Sequence, residues 1–159
     1  MAKKMPIPWE LKYNFVKGMV TTLFKSVMYE YRAKHGAAAA LEFYEGVWKR
    51  EDRVKNLTNV IRDVFKIDGN DIEALQTWWK IYNDLLGMHF TILELSKTHS
   101  RVRYPTGCAW ATEPEDISDW CFIFSKIINT TINPNATMER VKGICEGDPY
   151  CEYVWRIEE

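Results

Sequence analysis

The sequence predicts an α+β fold, with a helical N-terminal half followed by an antiparallel sheet, one inserted helix and a C-terminal hairpin. Through the first part of the chain, apolar residues recur with a period of about four, which is typical of an amphipathic helix. After Gly87 the chain changes to short segments rich in β-forming residues. Near the C-terminus, Cys145 and Cys151 flank a short turn that contains glycine and proline, which is typical of a hairpin.

Three helices are predicted before residue 66. The first extends from Trp9 to about Lys34 and ends before Gly36, a residue type that favours helix termination. Its periodic apolar residues are Leu11, Phe15, Met19, Leu23, Val27 and Tyr31. A second helix begins in the alanine run at 37–40, and a third covers about 54–65. The third is expected to turn three residues inward: Val60, Ile61 and Val64.

The fourth helix has clear start and stop signals. Asn70 is a good N-cap, and Glu73 lies three residues later, which is the spacing of a capping box. The helix is expected to end at Gly87. It carries Trp78 and Trp79, and adjacent helical residues point about 100° apart. We therefore expect only one of the two to face the core, and the other to line a cavity or an interface.

The second half is predicted to contain the sheet. Two strands are expected within 88–95 and 101–104, followed by a helix at about 114–130 that begins at a proline. The closing hairpin pairs roughly 137–145 with 151–157.

Composition bounds the class of protein. The 159 residues suit a single domain, 1–159, with a helical part at 1–87 and the sheet with its helix at 88–159. The formal net charge is −1 and there is no basic stripe, so nucleic acid is not an expected partner. No apolar run reaches the roughly 20 residues that span a bilayer, and no signal peptide is visible. We therefore expect a cytoplasmic protein that does not bind a membrane.

All four cysteines lie in the last third of the chain, which indicates a local site. They are Cys108, Cys121, Cys145 and Cys151. Their spacing matches none of the paired patterns of zinc fingers or ribbons, so buried thiols are favoured over a metal site on spacing alone. A disulfide between Cys145 and Cys151 across the hairpin is geometrically conceivable but disfavoured in the cytoplasm.

A histidine and two arginines form a second group of candidate functional residues. Arg101 and Arg103 alternate onto one face of their strand, where two guanidinium groups could bind a carboxylate. His99 lies beside them, and an imidazole can carry a proton near neutral pH. The alternative is a solvated strand edge that carries basic residues against aggregation.

Several segments together resemble the L-2-amino-thiazoline-4-carboxylic acid hydrolase family and the related 4-vinyl reductase-like ligand-binding domains. The segments extend from about Val16 to Arg156. They are Ala40-Leu41-Glu42-Phe43-Tyr44, the Gly-Asn-Asp-Ile-Glu-Ala-Leu segment from Gly69 to Leu75, the arginine strand before Gly107-Cys108-Ala109-Trp110, the helical Cys121 and the final Cys-x-Gly-Asp-x-x-Cys hairpin.

The hydrolase relatives imply an enzyme that opens a C=N or C–S bond of a carboxylated heterocycle. In that hypothesis Arg101 or Arg103 holds the substrate carboxylate, Cys108 is the nucleophile or polariser, and His99 carries the proton. Three aromatic residues bound an apolar pocket: Trp78, Trp79 and Trp110.

The 4-vinyl reductase-like relatives imply a different function, a non-catalytic binding or sensor domain for a small hydrophobic molecule. Some of these sensors hold structural zinc, the one cofactor that the resemblance implies, and Cys121, Cys145 and Cys151 resemble their zinc ligands in order. Where the sensors supply a glutamate, this chain has Lys142, so a fourth ligand would be Cys108, Glu146, Asp148 or water. A third alternative is a homodimer with Trp78 or Trp79 at its interface.

Overall fold

The computed structural model describes residues 8–104 and 115–158, and it confirms the predicted α+β class. The chain divides into two compact units, Met1–Glu42 and Phe43–Glu159. The first unit is helical. The second contains further helices and the whole four-stranded sheet.

Two helices open the described chain. Helix α1 spans Trp9–His35 and α2 spans Ala37–Lys49, as the apolar period and the alanine run predict. Gly36 separates them with a φ of 87°, a backbone conformation that glycine adopts without strain. Its amide donates to the carbonyl of Arg32 at 2.8 Å, which closes the last turn of α1.

The third helix departs from the predicted burial. Helix α3 spans Glu51–Asn59 and continues into a π-helical turn at Val60–Val64. Of the three residues expected to face inward, only Ile61 is buried, while Val60 and Val64 are exposed. The reason is the wider π turn, which changes the angle between successive side chains and removes the 3.6-residue register that the prediction assumed.

Helix α4 begins one residue later than a cap at Asn70 would place it. It spans Ile72–Leu86, and the cap is Asp71, whose carboxylate accepts the Ala74 amide at 2.9 Å. The predicted end is confirmed, since Gly87 closes the helix in the left-handed region with a φ of 68°.

Four antiparallel strands form one sheet in the order β1-β2-β4-β3. Their bounds are β1 Thr91–Leu95, β2 His99–Tyr104, β3 Ala136–Lys142 and β4 Cys151–Ile157, and α5, Glu115–Ile132, connects β2 to β3. The predicted hairpin is present as β3–β4, but its connection is longer than expected. Cys145 lies in a 3₁₀ turn at Ile144–Glu146 rather than in a strand.

Alternation along β2 and β4 gives the sheet two different faces. The inner face carries Ser100, Val102, Tyr153 and Trp155, and helices α4 and α5 pack on it. The outer face carries the intervening residues of the same strands: His99, Arg101, Arg103, Glu152, Val154 and Arg156.

The expectation that only one of the paired tryptophans faces the core is wrong. Trp78 and Trp79 are both buried. Helix α4 is packed on more than one side: Trp78 contacts Phe65, whereas Trp79 contacts Trp155. An interface built on either tryptophan is therefore also wrong.

In the described part of the chain, no helix is long and apolar enough to cross a membrane.

Candidate functional site

The outer face of the sheet holds a carboxylate between two arginines. Arg101 donates to Glu152 Oε1 from Nε at 2.7 Å and also from Nη2. Arg103 donates to Oε2 of the same residue from Nε at 3.1 Å and from Nη2 at 2.9 Å. The register explains the arrangement, because Arg103 lies opposite Glu152 and Arg101 lies opposite Val154, the next residue of β4 on the same face.

Further polar groups surround this arginine–glutamate cluster. Arg101 Nη1 donates to Glu94 Oε1 at 3.1 Å, and His99 Nε2 lies 3.9 Å from Glu94 Oε2. On the other side, the guanidinium of Arg103 lies 4.1 Å above the ring of Tyr150, an arrangement that favours a cation–π interaction.

The arginines keep Glu152 ionised. Its side chain is only 1% exposed, and this burial by itself would raise its pKa. The hydrogen bonds from Arg101 and Arg103 outweigh burial and hold the pKa of Glu152 below its ordinary value of 4.5. The pKa of Arg101 is raised in turn, first by its hydrogen bond to Glu152 and then by that to Glu94. A ligand carboxylate at this position would have to displace the chain's own carboxylate.

The structure brings some of the predicted site residues together and separates others. Arg101 and Arg103 share the outer face, as strand alternation predicts, and His99 joins them because β2 begins two residues before the predicted strand. Trp78 and Trp79 lie on the opposite side, since α4 packs on the inner face. The two other predicted residues, Cys108 and Trp110, lie outside the described residues. The arginines and the two described tryptophans of the predicted substrate site therefore lie on opposite faces of the sheet.

Six aromatic rings between the inner face and helices α4 and α5 form a continuous set of contacts, which we call the aromatic cluster. Successive ring centroids lie 5.4–6.4 Å apart. The members are Trp78, Trp79, Tyr82, Phe90, Phe124 and Trp155. Tilted and edge-on contacts of this kind stabilise aromatic cores.

Two amides of α4 bring polar atoms next to this cluster. Gln76 donates through Nε2 to the hydroxyl of Ser100, and Asn83 donates through Nδ2 to the Tyr104 hydroxyl at 3.2 Å. Their carbonyl oxygens, Gln76 Oε1 and Asn83 Oδ1, are buried without a hydrogen-bond partner in the described structure. The indole N–H groups of Trp78 and Trp155 are likewise buried and unpaired there. Each such group costs about 1–3 kcal/mol if it stays unsatisfied.

The tyrosines around the cluster are neutral at physiological pH. Burial raises the pKa of Tyr82 to about 12. Burial also raises the pKa of Tyr104 and, most strongly, that of Tyr153. The phenol groups can therefore donate or accept hydrogen bonds, but they do not supply a base.

The three described cysteines lie around Tyr153 and Arg140. Cys121 Sγ lies 3.8 Å from the Tyr153 hydroxyl, and Cys151 Sγ accepts the Ile144 amide at 3.3 Å. Cys145 carries a free thiol, so it forms no disulfide with Cys151. Among the described residues, no group of three or more His, Cys, Asp or Glu side chains is arranged to hold a metal ion. The described residues thus offer no ready set of zinc ligands around Cys121, Cys145 and Cys151, and Cys108, a further candidate ligand, lies outside them, so the zinc site stays a prediction.

Two functional candidates were missed by the sequence reasoning. Glu152 is the partner of both arginines, and its signal was a single carboxylate within the β-forming run Cys151–Trp155. Gln76 and Asn83 lie seven residues apart on α4, a spacing of about two turns that places both on one side of the helix. Their polarity among apolar neighbours was the available signal.

The sequence matches no protein-family model and no curated protein sequence. Among solved structures, the fold is similar to trafficking protein particle complex subunit 3 from Naegleria fowleri, determined covalently bound to palmitic acid. The TM-score is 0.54 at 13% identity, and the match covers 94% of this chain and 97% of that chain. At this identity the likeness establishes a shared fold alone.

Proposed function

We propose that the chain is a non-catalytic binding domain for a small, mainly apolar molecule that carries one neutral polar group. The observation that carries the proposal is the aromatic cluster with buried polar atoms that lack partners in the described structure. Ligand sites are typically lined by apolar and aromatic side chains, with a few polar groups that fix orientation.

The polar atoms favour a ligand group that both donates and accepts. Gln76 Oε1 and Asn83 Oδ1 are acceptors, whereas the indole N–H groups of Trp78 and Trp155 are donors. A protonated carboxylic acid, an amide or an alcohol can pair with both kinds. An ionised group is disfavoured, because the surrounding tyrosines are neutral and burial of an unpaired charge is costly.

The shared fold supports an apolar ligand by analogy. The similar trafficking-complex subunit was solved with palmitic acid, which has a long apolar chain and a single carboxyl group. The analogy concerns the class of ligand, and the aromatic cluster of this chain is the independent support for it.

Fluorescence titration tests the binding proposal, since several tryptophans lie in the cluster. We expect palmitic acid or a small aromatic carboxylic acid to change the emission saturably, and Gln76→Met to weaken that binding about tenfold, by the loss of one hydrogen bond. Asn133→Ala is the matched control. Asn133 is a buried amide whose hydrogen bonds, to the Asn70 carbonyl and from the Asn135 amide, are already formed. The absence of saturable binding to any probe would contradict the proposal.

A second candidate is the hydrolase that the sequence resemblance implies. Its support is the outer face, where His99 lies 3.9 Å from the Glu94 carboxylate and Glu94 also accepts from Arg101. A carboxylate beside an imidazole can orient it for proton transfer.

A turnover assay with 2-aminothiazoline-4-carboxylate distinguishes this candidate from the first. The hydrolase proposal expects turnover that Cys108→Ala abolishes and that His99→Asn lowers at least about 100-fold. His89→Asn is the control, because His89 is exposed and lies outside the cluster. Saturable ligand binding without turnover would favour the binding domain. Turnover unaffected by Cys108→Ala would remove Cys108 from the mechanism.

We also infer a cytoplasmic location, as the sequence predicts. In that compartment thiols stay reduced, so Cys145 and Cys151 are expected to remain unpaired although only a short turn separates them. Thiol titration of the protein isolated from its native host, with Cys145 found reduced, is the expected result.

A further inference from the structure

Helix α1 presents a long apolar surface to solvent. Eight of its large apolar side chains are at least half exposed, with values from 50% at Val27 to 72% at Trp9. We call this set the apolar stripe: Trp9, Leu11, Phe15, Val16, Met19, Val20, Leu23 and Val27. Five of its positions, from Leu11 to Val27, recur every four residues along five turns of helix.

The stripe is larger than a monomer normally exposes. The largest apolar patch of a typical monomeric protein is about 300–600 Å². Eight large side chains at these exposures offer on the order of 800 Å², close to what each partner contributes to a standard interface. A surface of this size indicates an interaction site.

Two charged residues of α1 favour a second copy of this chain as the partner. Lys12 and Glu30 are both exposed and lie eighteen positions apart, which is about five whole turns, so they occupy the same side of α1 at opposite ends of the stripe. If two copies of α1 pair antiparallel, the Lys12 of each copy lies beside the Glu30 of the other. Parallel pairing would instead place like charges together.

The apolar residues share the same centre of symmetry. The midpoint between Lys12 and Glu30 is position 21. Position 21 is also the midpoint between Phe15 and Val27, and between Met19 and Leu23. One antiparallel register therefore pairs apolar side chains with apolar side chains while it pairs the two charges. A closed twofold interface requires this self-complementarity.

We propose that the chain forms a homodimer in which α1 packs antiparallel against α1 of a second copy, with the twofold axis passing between Met19 and Leu23 at the level of residue 21. This goes beyond the proposed ligand binding, and it uses a surface of the first compact unit alone.

Sedimentation velocity over a range of concentrations tests the dimer. Leu23→Lys places two ammonium groups against apolar side chains at the centre of the interface, and we expect it to raise the dimer dissociation constant at least 100-fold. Leu95→Lys is the matched control, since Leu95 is a similarly exposed leucine on β1, 59% against 64% for Leu23. It should leave the dissociation constant unchanged. Circular dichroism of both variants checks that the helices remain folded.

A charge swap tests the antiparallel register. Lys12→Glu or Glu30→Lys alone places like charges together twice in each dimer, and we expect each to raise the dissociation constant about fivefold to tenfold at low salt. The double variant Lys12→Glu/Glu30→Lys should restore the wild-type value. Lys55→Glu, an exposed change on α3, should have no effect.

Four results would overturn the proposal. A monomer at all concentrations up to about 100 µM, where even a weak homodimer should be detectable, would do so. A dimer that survives Leu23→Lys would place the interface elsewhere. A dimer whose affinity the double charge swap lowers further would exclude the antiparallel register. Binding of the monomer to lipid vesicles, lost in Leu23→Lys, would assign the stripe to a membrane surface instead.

Discussion

Adjacent residues of β4 show two different ways to bury a side chain. Tyr153 and Trp155 point to the inner face, where neutral aromatic rings and helices α4 and α5 cover them. Glu152 points to the outer face and is equally inaccessible, but its cover consists of two guanidinium groups that are themselves more than a third exposed. Apolar burial on the inner face excludes water. On the outer face, the buried charge of Glu152 is covered by charged groups that water still screens. Mutations on the two faces should therefore differ in their effect on the free energy of unfolding and in the pH dependence of that effect.

The largest expected effect is on the inner face. Trp155→Ala removes a fully buried ring that contacts Trp79 and Phe90, and we expect it to lower the free energy of unfolding by about 3–5 kcal/mol. Val141→Ala, on the exposed side of β3, should change it by less than about 0.5 kcal/mol. Urea unfolding followed by tryptophan fluorescence measures both. Equal effects would mean that the aromatic cluster is not a packed core.

The tryptophans also indicate how far the sequence predicts the fold. The apolar period predicted α1, α2 and α4 and their ends well, because it reports local structure. The burial of both Trp78 and Trp79 was not predictable in the same way. It depends on Phe65 and Trp155, which lie far away in the sequence and cover different sides of α4.

The next effect concerns the buried tyrosines at high pH. The ordinary tyrosine pKa is 10.0, and burial raises that of Tyr82 to about 12. The folded state therefore holds the phenol proton when the unfolded chain has lost it. The stabilisation is complete below pH 10 and decreases as the pH rises from 10 toward 12. Tyr82 contributes up to about 3 kcal/mol to this loss.

Unfolding free energies between pH 8.5 and 11 measure that loss. Tyr82→Phe should make the slope above pH 10 shallower by roughly one proton, since it removes one group that only the unfolded state ionises. Tyr13→Phe, in helix α1 of the first compact unit, supplies the comparison. An unchanged slope in Tyr82→Phe would show that this phenol ionises equally in both states.

The outer face should respond less, and at the opposite end of the pH range. Glu152→Gln keeps the shape of the side chain but leaves Arg101 and Arg103 without their charge partner. We expect a loss of about 1–2 kcal/mol at pH 7, well below the 3–5 kcal/mol of a fully buried pair, because water screens the guanidinium groups.

The pH dependence of this difference follows from the lowered pKa of Glu152. The unfolded chain takes up the proton near pH 4.5, whereas the folded chain does so only at lower pH. The stabilisation is therefore complete above about pH 5, and it decreases as the pH falls below 4.5 toward the folded pKa. Wild type and Glu152→Gln should converge there. A constant difference from pH 7 to pH 3 would mean that the carboxylate does not titrate as the arginine pairing requires.

The candidate site illustrates the same limit of sequence reasoning. Alternation within β2 correctly predicted that Arg101 and Arg103 share a face, because that rule acts within one strand. The partner carboxylate lies about fifty residues later, on β4, and only the register of the β2–β4 pairing brings Glu152 between the arginines. Two arginines on one strand are equally compatible with a ligand carboxylate and with one supplied by the chain.

The smallest effect on stability is expected at a solvent-exposed ion pair of the outer face. Arg156 Nη1 donates to Glu139 Oε2 at 2.9 Å between β4 and β3, with both side chains about half exposed. A double-mutant cycle with Arg156→Gln and Glu139→Gln should give a coupling energy of only about 0.2–0.5 kcal/mol, and 0.5 M NaCl should abolish it. The bond length is similar to those around Glu152, so geometry alone would predict similar energies. A coupling energy as large as the loss of stability in Glu152→Gln would contradict this. It would mean that the inaccessibility of the Glu152 carboxylate does not explain the larger contribution of the arginine–glutamate cluster to stability.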